Sequence, residues 1–317
     1  MKVLRISPVD FAILTCALRP DDRDARGRPF LRQRSRWARL RRLCAVSCAL
    51  PCLVGPSVVV AQTPSPLQEW QYSGGVVLEK VYEGEVPEWR RIVGLAAAVQ
   101  PLYEGSRANR LRGGPVVNIR YRDIAFASTG EGLGINLLRG RQFRAGVSLG
   151  YDLGRRNSSD THLNGLADLG PAAVPKMFAE GVISKDFPMI IRADVRRIVR
   201  SGDGLVGDVE AYMPLPGSSR RFVMFAGPTY TFANRQHMQR VFGVNSAEAQ
   251  NAGYPAFDTH GGSVAKGLGF SATWFPSEHW LVNFDGAVNR LLGSAGQSPI
   301  TQRRTQRAFA VSAAYQW

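Results

Sequence analysis

Apolar and polar residues alternate with a period of two along much of this chain. In QFRAGVSLGYD (142–152) the odd positions from Phe143 to Tyr151 are apolar, whereas the even positions are Gln, Arg, Gly, Ser and Asp. This period places the two sets on opposite faces of a β-strand. The same pattern predicts strands in ten further segments. They are RRIVGLAAAVQ, VVNIRYRD, GINLLRG, FAEGVISKDF, IIRADVRR, LVGDVEAYM, RFVMFAGPTYTF, AKGLGFSATWF, HWLVNFDGAVNRLL and RAFAVSAAYQW.

Turn-forming clusters separate these segments. RRNSSD, VRSGDG, PLPGSSRR and GSAGQSP are rich in Gly, Ser, Asn, Asp and Pro, the residues typical of turns and loops. The sequence predicts only one short helix, in the loop segment NSAEAQNAG. The pattern therefore predicts an all-β fold.

The polar faces of the predicted strands distinguish a membrane barrel from a soluble periplasmic sandwich. They contain Gly, Ser, Asn, Asp and Arg, which suit a wet or charge-paired lumen, and the 33 glycines suit strands that curve to close a cylinder. Arg192, Asp194 and Arg196 share one face, so we expect them to pair across the lumen, as buried charges must. The predicted fold class is a closed antiparallel transmembrane β-barrel of about 12 strands, given the segments and the even strand numbers of single-chain barrels. The sandwich stays open as the alternative.

The last segment alternates up to the final residue. Hydrocarbon offers no hydrogen-bond partner for an open sheet edge, so the first and last strands of a barrel must pair. We therefore predict that this segment is the closing strand. Its apolar set is predicted to face lipid and to be the signal read by the barrel assembly machinery; the signal residues are Phe309, Val311, Tyr315 and Trp317. The remaining positions are assigned to loop and lumen; they are Arg307, Ala310, Ser312, Ala314 and Gln316.

The N-terminal region accounts for much of the net charge of +15. Residues 1–61 hold 12 Lys and Arg and 4 Asp and Glu, which leaves 28 and 21 for residues 62–317. Arginines between Arg34 and Arg42 precede the apolar run LCAVSCALPCLVGPSVVVA, a pattern typical of a signal peptide. An uncleaved anchor, or lipoprotein cleavage at Cys48 or Cys52, stays open. All four cysteines lie upstream of the predicted cut at Ala61.

These features predict three parts of the chain. Residues 1–61 are an N-terminal extension plus signal peptide that is removed, residues 62–72 are a periplasmic linker, and residues 73–317 are the outer-membrane barrel.

Candidate catalytic and metal-binding residues are few. His162 lies near Ser158, Ser159 and Asp160, and His260 lies near Asp258 and Ser263. A nucleophile needs a base within hydrogen-bond reach and a third group that orients the base, and these loop clusters have no such spacing of their own. We assign no catalytic, cofactor-binding or metal-binding residue. A rim-located lipid hydrolase remains the rival, enzymatic interpretation.

Basic clusters and aromatic residues indicate partners of the barrel. The basic clusters lack interleaved aromatics, which argues against nucleic acid; lipopolysaccharide phosphates and lumen carboxylates suit them better. They are Arg155–Arg156, Arg196–Arg197 with Arg200, Arg220–Arg221, and Arg303–Arg304 with Arg307. Aromatic residues near strand ends are typical of a girdle at the membrane interface. They are Tyr230, Phe232, Trp274, Phe275, Trp280, Phe284, Tyr315 and Trp317.

Several short segments, in order, resemble the MipA/OmpV family of outer-membrane proteins. They are PLYEGS, NIRYRDIAF with the following glycines, SLGYDLGRRNSSDTHLNGLADLG, HMQRVFGVNSAEAQNAGYPAF and NRLLGSAGQSPITQRRTQ. The motif residues are Pro101, Tyr103, Gly105, Ser106, Gly154, Arg155, Gly165, Gly243 and Pro299. Together these segments span nearly all of the predicted mature chain.

The resemblance implies a place and a role. The family takes its name from a protein that bridges a lytic murein transglycosylase and a bifunctional murein synthase. It therefore implies a scaffold for murein-remodelling enzymes in the outer membrane of a Gram-negative bacterium, with the periplasmic turns as the binding surface. The expected partners are outer-membrane lipid, lipopolysaccharide, the assembly machinery, and a murein hydrolase and synthase. A passive pore or envelope-stress porin is the alternative.

Overall fold

The structure is a computed structural model, which describes residues 87–184, 186–199, 204–219 and 221–317. The predicted signal peptide and linker, the four cysteines and the predicted start of the barrel at residue 73 lie outside these ranges. The first described strand begins at Trp89.

Twelve antiparallel strands close into a barrel in which neighbours in sequence pair and β1 pairs with β12. The strands are β1 Trp89–Pro101, β2 Asn109–Tyr121, β3 Ala125–Ser128, β4 Gly132–Arg139, β5 Phe143–Asp152, β6 Ala172–Val182, β7 Ile190–Arg197, β8 Leu205–Pro214, β9 Phe222–Ala233, β10 Gly262–Trp274, β11 Trp280–Leu291 and β12 Thr305–Gln316. The predicted fold class and strand number are confirmed.

The closing strand lies where the alternation predicts it. Tyr315 is opposite Val93 of β1 and Trp280 of β11, so β12 is hydrogen-bonded on both sides. Beyond it, the backbone N–H of Trp317 donates to the carbonyl of Arg91 at 3.2 Å. The terminal segment therefore forms the seam of the cylinder.

Two strand boundaries differ from the prediction. The predicted strand VVNIRYRD runs to Asp123, whereas β2 ends at Tyr121, because Arg122 has a φ of 49° and the chain turns there into the short strand β3. The pattern also extends β6 to Phe187, whereas the strand ends at Val182. There the N–H of Ile183 donates to the carbonyl of Met189 and begins a turn.

The alternating positions separate into a lipid face and a lumen face. Leu95, Leu111 and Met177 are 72%, 74% and 69% exposed, as outward side chains of a membrane barrel must be, and Asn118 and Ser148 are buried inside. In β12 the odd positions are exposed, and Ser312 and Ala314 are buried as predicted. The assignment of Arg307 to loop or lumen is wrong: it is exposed on the same face as Phe309, because an even separation in a strand keeps the face.

The two ends of the barrel differ in the length of their connections. Short connections, at 122–124, 140–142, 183–189, 215–221 and 275–279, lie at the end where β1 begins and β12 ends. Longer ones, at 153–171, 234–261 and 292–304, lie at the other end, where β1 is followed by β2, β3 by β4 and β7 by β8. Outer-membrane barrels have short periplasmic turns and longer extracellular loops, so the first end is the periplasmic rim.

The long loops contain three short helices: α1 Arg235–Phe242, α2 Ser246–Ala252 and α3 Gly293–Gln297. The sequence predicted α2 only. It missed α1, which begins where the Asn234 side chain accepts the N–H of His237 and which buries Met238 and Phe242. Within the described ranges, none of the helices has the length and apolar character needed to span a bilayer.

Candidate functional site

A charged wall lines one side of the barrel interior, from β2 to β8. Its inward-facing members are Arg120, Glu131, Arg144, Lys176, Glu180, Arg192, Asp194, Arg196, Asp208 and Glu210. Arg144 is 0% exposed and Glu131, in the connection between β3 and β4, is 1% exposed. These side chains are therefore shielded from solvent and do not line a water-filled channel.

Ion pairs join the centre of this wall. Glu131 accepts from Arg144 at 3.1 Å and from Arg192 at 3.3 Å, and it also binds Arg120. Glu180 accepts from Arg192 at 2.9 Å and binds Arg144. Two carboxylates thus hold three guanidinium groups from different strands, which gives each buried charge an opposite partner.

A second group of ion pairs lies further along the wall. Arg196 donates to Asp194 at 3.0 Å and also binds Asp208. Arg192, Asp194 and Arg196 therefore form ion pairs inside the barrel, but along one wall rather than across the lumen as predicted.

Aromatic rings fill the remaining space of the charged wall. Phe126 and Phe178 meet edge to face, with centroids 5.8 Å apart. The guanidinium carbons of Arg144 and Arg192 lie 5.2 and 5.4 Å from the Phe178 centroid. Such cation–π contacts are strongest where water is excluded, so the rings add to the packing of the ion pairs.

The opposite side of the interior is a small-residue wall, formed by β10, β11, β12, β1 and the first half of β2. Five of its inward-facing small residues are only partly buried; they are Ala96, Ala98, Gly114, Ala308 and Ala310. Ala287 and Ala314 of the same wall are buried. A Cβ added at Gly114 would meet no atom within 4 Å. This wall therefore borders free space inside the barrel.

Asp285 is the buried acid of the small-residue wall. One of its oxygens accepts from the Asn283 amide at 2.6 Å, and the other, Oδ1, has no hydrogen-bond partner. Among the described residues, Asp285 forms no ion pair, unlike Glu131 and Glu180. Asp285 therefore differs from Glu131 and Glu180, each of which binds at least two guanidinium groups.

The long loops fold into a cap over the interior, which we term the loop cap. One apolar cluster joins α1 and α3 to the ends of several strands; it contains Val174, Ile198, Val206, Ala233, Met238, Phe242, Val264, Leu291 and Ala295. A second cluster contains Tyr103, Leu163, Leu166, Val244 and Ile300. The second cluster joins the β1–β2 and β11–β12 connections to the β5–β6 and β9–β10 connections. It lies next to the small-residue wall.

The family-motif residues lie mainly in this loop cap. The Tyr103 hydroxyl donates to the carbonyl of Ile300 at 3.1 Å, and the carbonyl of Gly105 accepts from the N–H groups of Gln302 and Arg303 at 2.9 and 3.0 Å. Arg155 Nη1 donates to the carbonyl of Val241 at 3.0 Å. These contacts join loops that are distant in sequence.

Other motif residues are explained by close backbone approach. Gly165 has a φ of 85°, and a Cβ there would lie 2.7 Å from the Cα of Ala252. Gly154 has a φ of 71°, and a Cβ there would lie 1.8 Å from the carbonyl oxygen of Leu169. Ser106 is 0% exposed and donates to the carbonyl of Ala108 at 3.1 Å. The residues that suggested a family therefore build the loop cap.

Burial shifts the pKa values of two side chains in the loop cap. It raises the pKa of Tyr103 to about 12, and the nearby charge of Asp160 adds to this effect. Burial also lowers the pKa of Arg155, whose guanidinium carbon lies 5.9 Å from the Tyr103 ring centroid. The neutral Tyr103 hydroxyl is thus the form that the folded loop cap favours.

The periplasmic rim contains the aromatic girdle. The rings of Trp280 and Tyr315 are 5.4 Å apart, those of Tyr315 and Trp317 are 5.8 Å apart, and those of Trp89 and Tyr121 are 4.8 Å apart. Tyr315 and Trp317 of the predicted assembly signal belong to this girdle, and Phe309 and Val311 face lipid above it. Their recognition by the assembly machinery stays a prediction.

The histidine clusters show loop contacts rather than a catalytic arrangement. The His162 ring lies 3.3 Å from Asp160, while the Ser159 hydroxyl donates to the carbonyl of Arg156. His260 meets Ser294 through its backbone. Within the described ranges, no group of three or more His, Cys, Asp or Glu residues could hold a metal ion.

Comparison with known families gives one match. The family described as "MltA-interacting protein MipA" matches residues 93–317, which is most of the chain and nearly all of the described barrel. The chain belongs to the MipA family. The suspected MipA/OmpV resemblance is therefore confirmed, and the matched region extends from β1 through the closing strand of this MipA-family barrel.

Solved structures similar to this MipA-family chain are also barrels. The NanC porin is 11% identical with a TM-score of 0.34, covering 72% of this chain and 98% of that one. The outer-membrane protein OmpT of Vibrio cholerae is 8% identical with a TM-score of 0.34, covering 74% and 99%. The CymD monoaromatic hydrocarbon channel is 10% identical with a TM-score of 0.35, covering 77% and 92%. The comparison with curated proteins gave no match.

The strand pairing itself establishes the nature of this MipA-family chain. A closed barrel with an exposed apolar band, a rim of aromatics and polar residues inside meets the requirements of a bilayer on every strand. The chain is an outer-membrane β-barrel protein.

Proposed function

We propose that this MipA-family barrel is a non-enzymatic scaffold that binds murein-remodelling enzymes at its periplasmic rim. The family description names a protein that interacts with MltA, and this chain matches that family over residues 93–317. Murein lies on the periplasmic side of the outer membrane, so a scaffold must present its binding surface there.

The packed and paired charged wall is the observation that best supports this proposal. A channel needs a continuous aqueous path, whereas Arg144, Arg192 and Glu180 are between 0% and 1% exposed in their side chains. Charges buried in this way are costly unless they are fully paired, and the charged wall pairs them. Such an interior suits a rigid support for a binding surface.

The periplasmic rim offers charged side chains for a partner. Arg122, Arg141, Asp186 and Glu278 are exposed in four different turns, although Arg122 contacts Glu88 at 3.1 Å. Exposed charges at an interface mainly set the association rate and the choice of partner. The rim can therefore select a partner without a deep pocket.

A binding experiment tests the scaffold. The full-length mature protein in detergent micelles serves as bait for a purified lytic murein transglycosylase and a bifunctional murein synthase. We expect the wild type to bind at least one of them, and Arg141→Glu at the rim to weaken binding about tenfold, as truncating a rim charge alters association. Arg156→Glu, an exposed arginine at the loop end, is the matched control and should bind normally.

Two results would contradict the scaffold. One is a wild-type protein that binds neither enzyme. The other is an equal loss of enzyme binding in Arg141→Glu and Arg156→Glu, since binding would then not depend on the periplasmic rim.

The small-residue wall supports a second candidate, a passive pore. Gly114 borders free space, and the partly exposed alanines beside it leave room along one side of the interior. This candidate requires that the loop cap open above that wall. Conductance measurements distinguish it from the closed scaffold.

A further inference from the structure

Three cations face outward near the loop end of adjacent strands. Lys266 of β10, Arg290 of β11 and Arg307 of β12 are all exposed. Each occupies the lipid-facing parity of its strand, two residues from an exposed apolar side chain on the same face. Those apolar side chains are Leu268, Val288 and Phe309. We term Lys266, Arg290 and Arg307 the outer basic patch.

The members of the outer basic patch are close to one another. Lys266 lies directly opposite Arg290 in the β10–β11 ladder. Arg290 lies opposite Thr305, and Arg307 is the next residue of β12 on that face. Directly opposite residues have Cβ atoms about 5 Å apart and diagonal ones about 7–8 Å apart, and like charges at such positions are destabilising.

Protein acids do not offset this repulsion. None of the ion pairs among the described residues includes Lys266, Arg290 or Arg307. The charged wall, in contrast, gives its buried arginines carboxylate partners only a few residues away in the same sheet. An anion from outside the chain would convert the repulsion of the outer basic patch into attraction.

The height of the patch indicates where that anion lies. Trp280, in the girdle at the periplasmic rim, and Arg290 are the first and eleventh residues of β11. At about 3.3 Å per residue and a tilt of about 40°, the ten intervening steps rise roughly 25 Å, which is the height of the apolar band of such barrels. Arg290 therefore lies at the level of the outer-leaflet headgroups.

Aromatic and apolar side chains flank the outer basic patch on both sides. Tyr230 and Phe232 of β9 are exposed near the same level on one side, and Val99 of β1 and Leu111 of β2 are exposed on the other. Tyr230 is opposite Lys266 and its hydroxyl contacts Ser263, so an aromatic residue borders the patch.

We propose that the outer basic patch binds the phosphorylated headgroup of an outer-leaflet lipid, whose acyl chains lie along Leu268, Val288 and Phe309. Guanidinium groups hold phosphate oxygens through two parallel hydrogen bonds, and the lysine adds a point charge. The apolar side chains directly below match the chains that extend from such a headgroup. This lipid site is independent of any partner at the periplasmic rim.

Lipid retention tests the site. The wild type, Lys266→Gln/Arg290→Gln/Arg307→Gln and the control Arg197→Gln are extracted from outer membranes in mild detergent, and bound lipid is measured by native mass spectrometry. Arg197 is an exposed cation near the loop end of β7, and it lies opposite Leu205 of β8 rather than a cation. Each protein is then delipidated and titrated with lipid A, with dephosphorylated lipid A and with inorganic phosphate, and heat-modifiable gel migration verifies the folded barrel.

We expect wild type and Arg197→Gln to retain phosphorylated lipid and to bind lipid A alike. Each cation near an anionic lipid surface contributes about fivefold in affinity, so the triple variant should bind lipid A on the order of a hundredfold more weakly. Dephosphorylated lipid A should bind as weakly to the wild type. The proposal is wrong if the folded triple variant retains as much lipid as the wild type does. It is also wrong if Arg197→Gln loses as much lipid as the triple variant, or if inorganic phosphate binds the wild type as tightly as lipid A does.

Discussion

The two walls of the barrel interior deal with polar groups in opposite ways. On the charged wall, long side chains from several strands meet in ion pairs and pack on Phe126 and Phe178. On the small-residue wall, Gly114 borders free space, and Asp285 has no ion-pair partner among the described residues. One half of the barrel interior is therefore filled by packed side chains. The other half is closed mainly by the loops above it.

The two walls should therefore respond differently to mutation. Removing one partner from a buried ion pair leaves an uncompensated charge, whereas altering a small residue beside free space disturbs little. The predictions below test this contrast from the largest expected effect to the smallest.

Glu180→Gln should cause the largest loss of stability. The substitution removes the carboxylate that binds both Arg144 and Arg192, and breaking a buried pair costs about 3–5 kcal/mol. The free energy of unfolding in urea, followed by tryptophan fluorescence in lipid vesicles, measures it. A loss below about 1 kcal/mol would mean that water reaches the charged wall.

Matched glycine substitutions compare the packing of the walls. A Cβ at Gly134 would lie 2.2 Å from the Phe126 ring, whereas one at Gly114 would meet nothing within 4 Å. Gly134→Ala should cost about 1–3 kcal/mol through overpacking, and Gly114→Ala should leave the unfolding free energy unchanged. Equal effects in the same urea titration would contradict the division into two walls.

Asp285→Asn should be neutral or stabilising. The carboxylate has no cation partner, and a neutral amide costs less to bury than an unpaired charge while it can still accept from Asn283. The thermal midpoint of heat-modifiable migration measures the change, with Glu180→Gln as the contrasting variant. A marked fall in this midpoint for Asp285→Asn would show that the small-residue wall also depends on a charge.

Alkaline pH should loosen the loop cap before it affects the charged wall. The folded state raises the pKa of Tyr103 to about 12, above its ordinary value of 10. Its contribution to stability is therefore complete below pH 10 and is lost as the pH rises through about 12. Protease cleavage within the loops should increase over that window.

Tyr103→Phe is the control for this pH effect. It removes the titrating group and the hydrogen bond to Ile300, a loss of about 1 kcal/mol. The difference in cleavage between the wild type and Tyr103→Phe should change across the pH window. If the difference in cleavage stayed constant, groups other than Tyr103 would cause the loosening at alkaline pH.

The sequence predicted much of the barrel because a lipid face and a lumen face impose a period of two. Phe143–Tyr151 and the closing strand show it directly, and the inward position of Arg192 follows from the same rule. The short strand β3 was missed because four residues give too little alternation and because the turn depends on the φ of Arg122. The outward position of Arg307 could have been predicted, because residues two apart in a strand lie on the same face and Phe309 faces lipid.

The loop cap was harder to predict. Tyr103, Gly154 and Gly165 were singled out only through resemblance, and the contact of Arg155 with Val241 could not be predicted, because these contacts join loops that are far apart in sequence. Helix α1 was missed since its apolar residues, Met238, Val241 and Phe242, cover little more than one helical turn. The partners of Glu131 also depend on closure of the cylinder, which brings β2, β5 and β7 around one carboxylate.

Conductance in planar bilayers tests the closed scaffold most directly. The charged wall is sealed and the loop cap is packed above the interior, so the purified wild type should insert without stepwise current across the physiological range of voltage and salt. A chain lacking the loop residues 293–300, which contain α3, should conduct, because it opens the cap beside the small-residue wall. Stable current steps from the wild type, reduced by Gly114→Leu, would contradict the closed scaffold and identify the small-residue wall as the path of a pore.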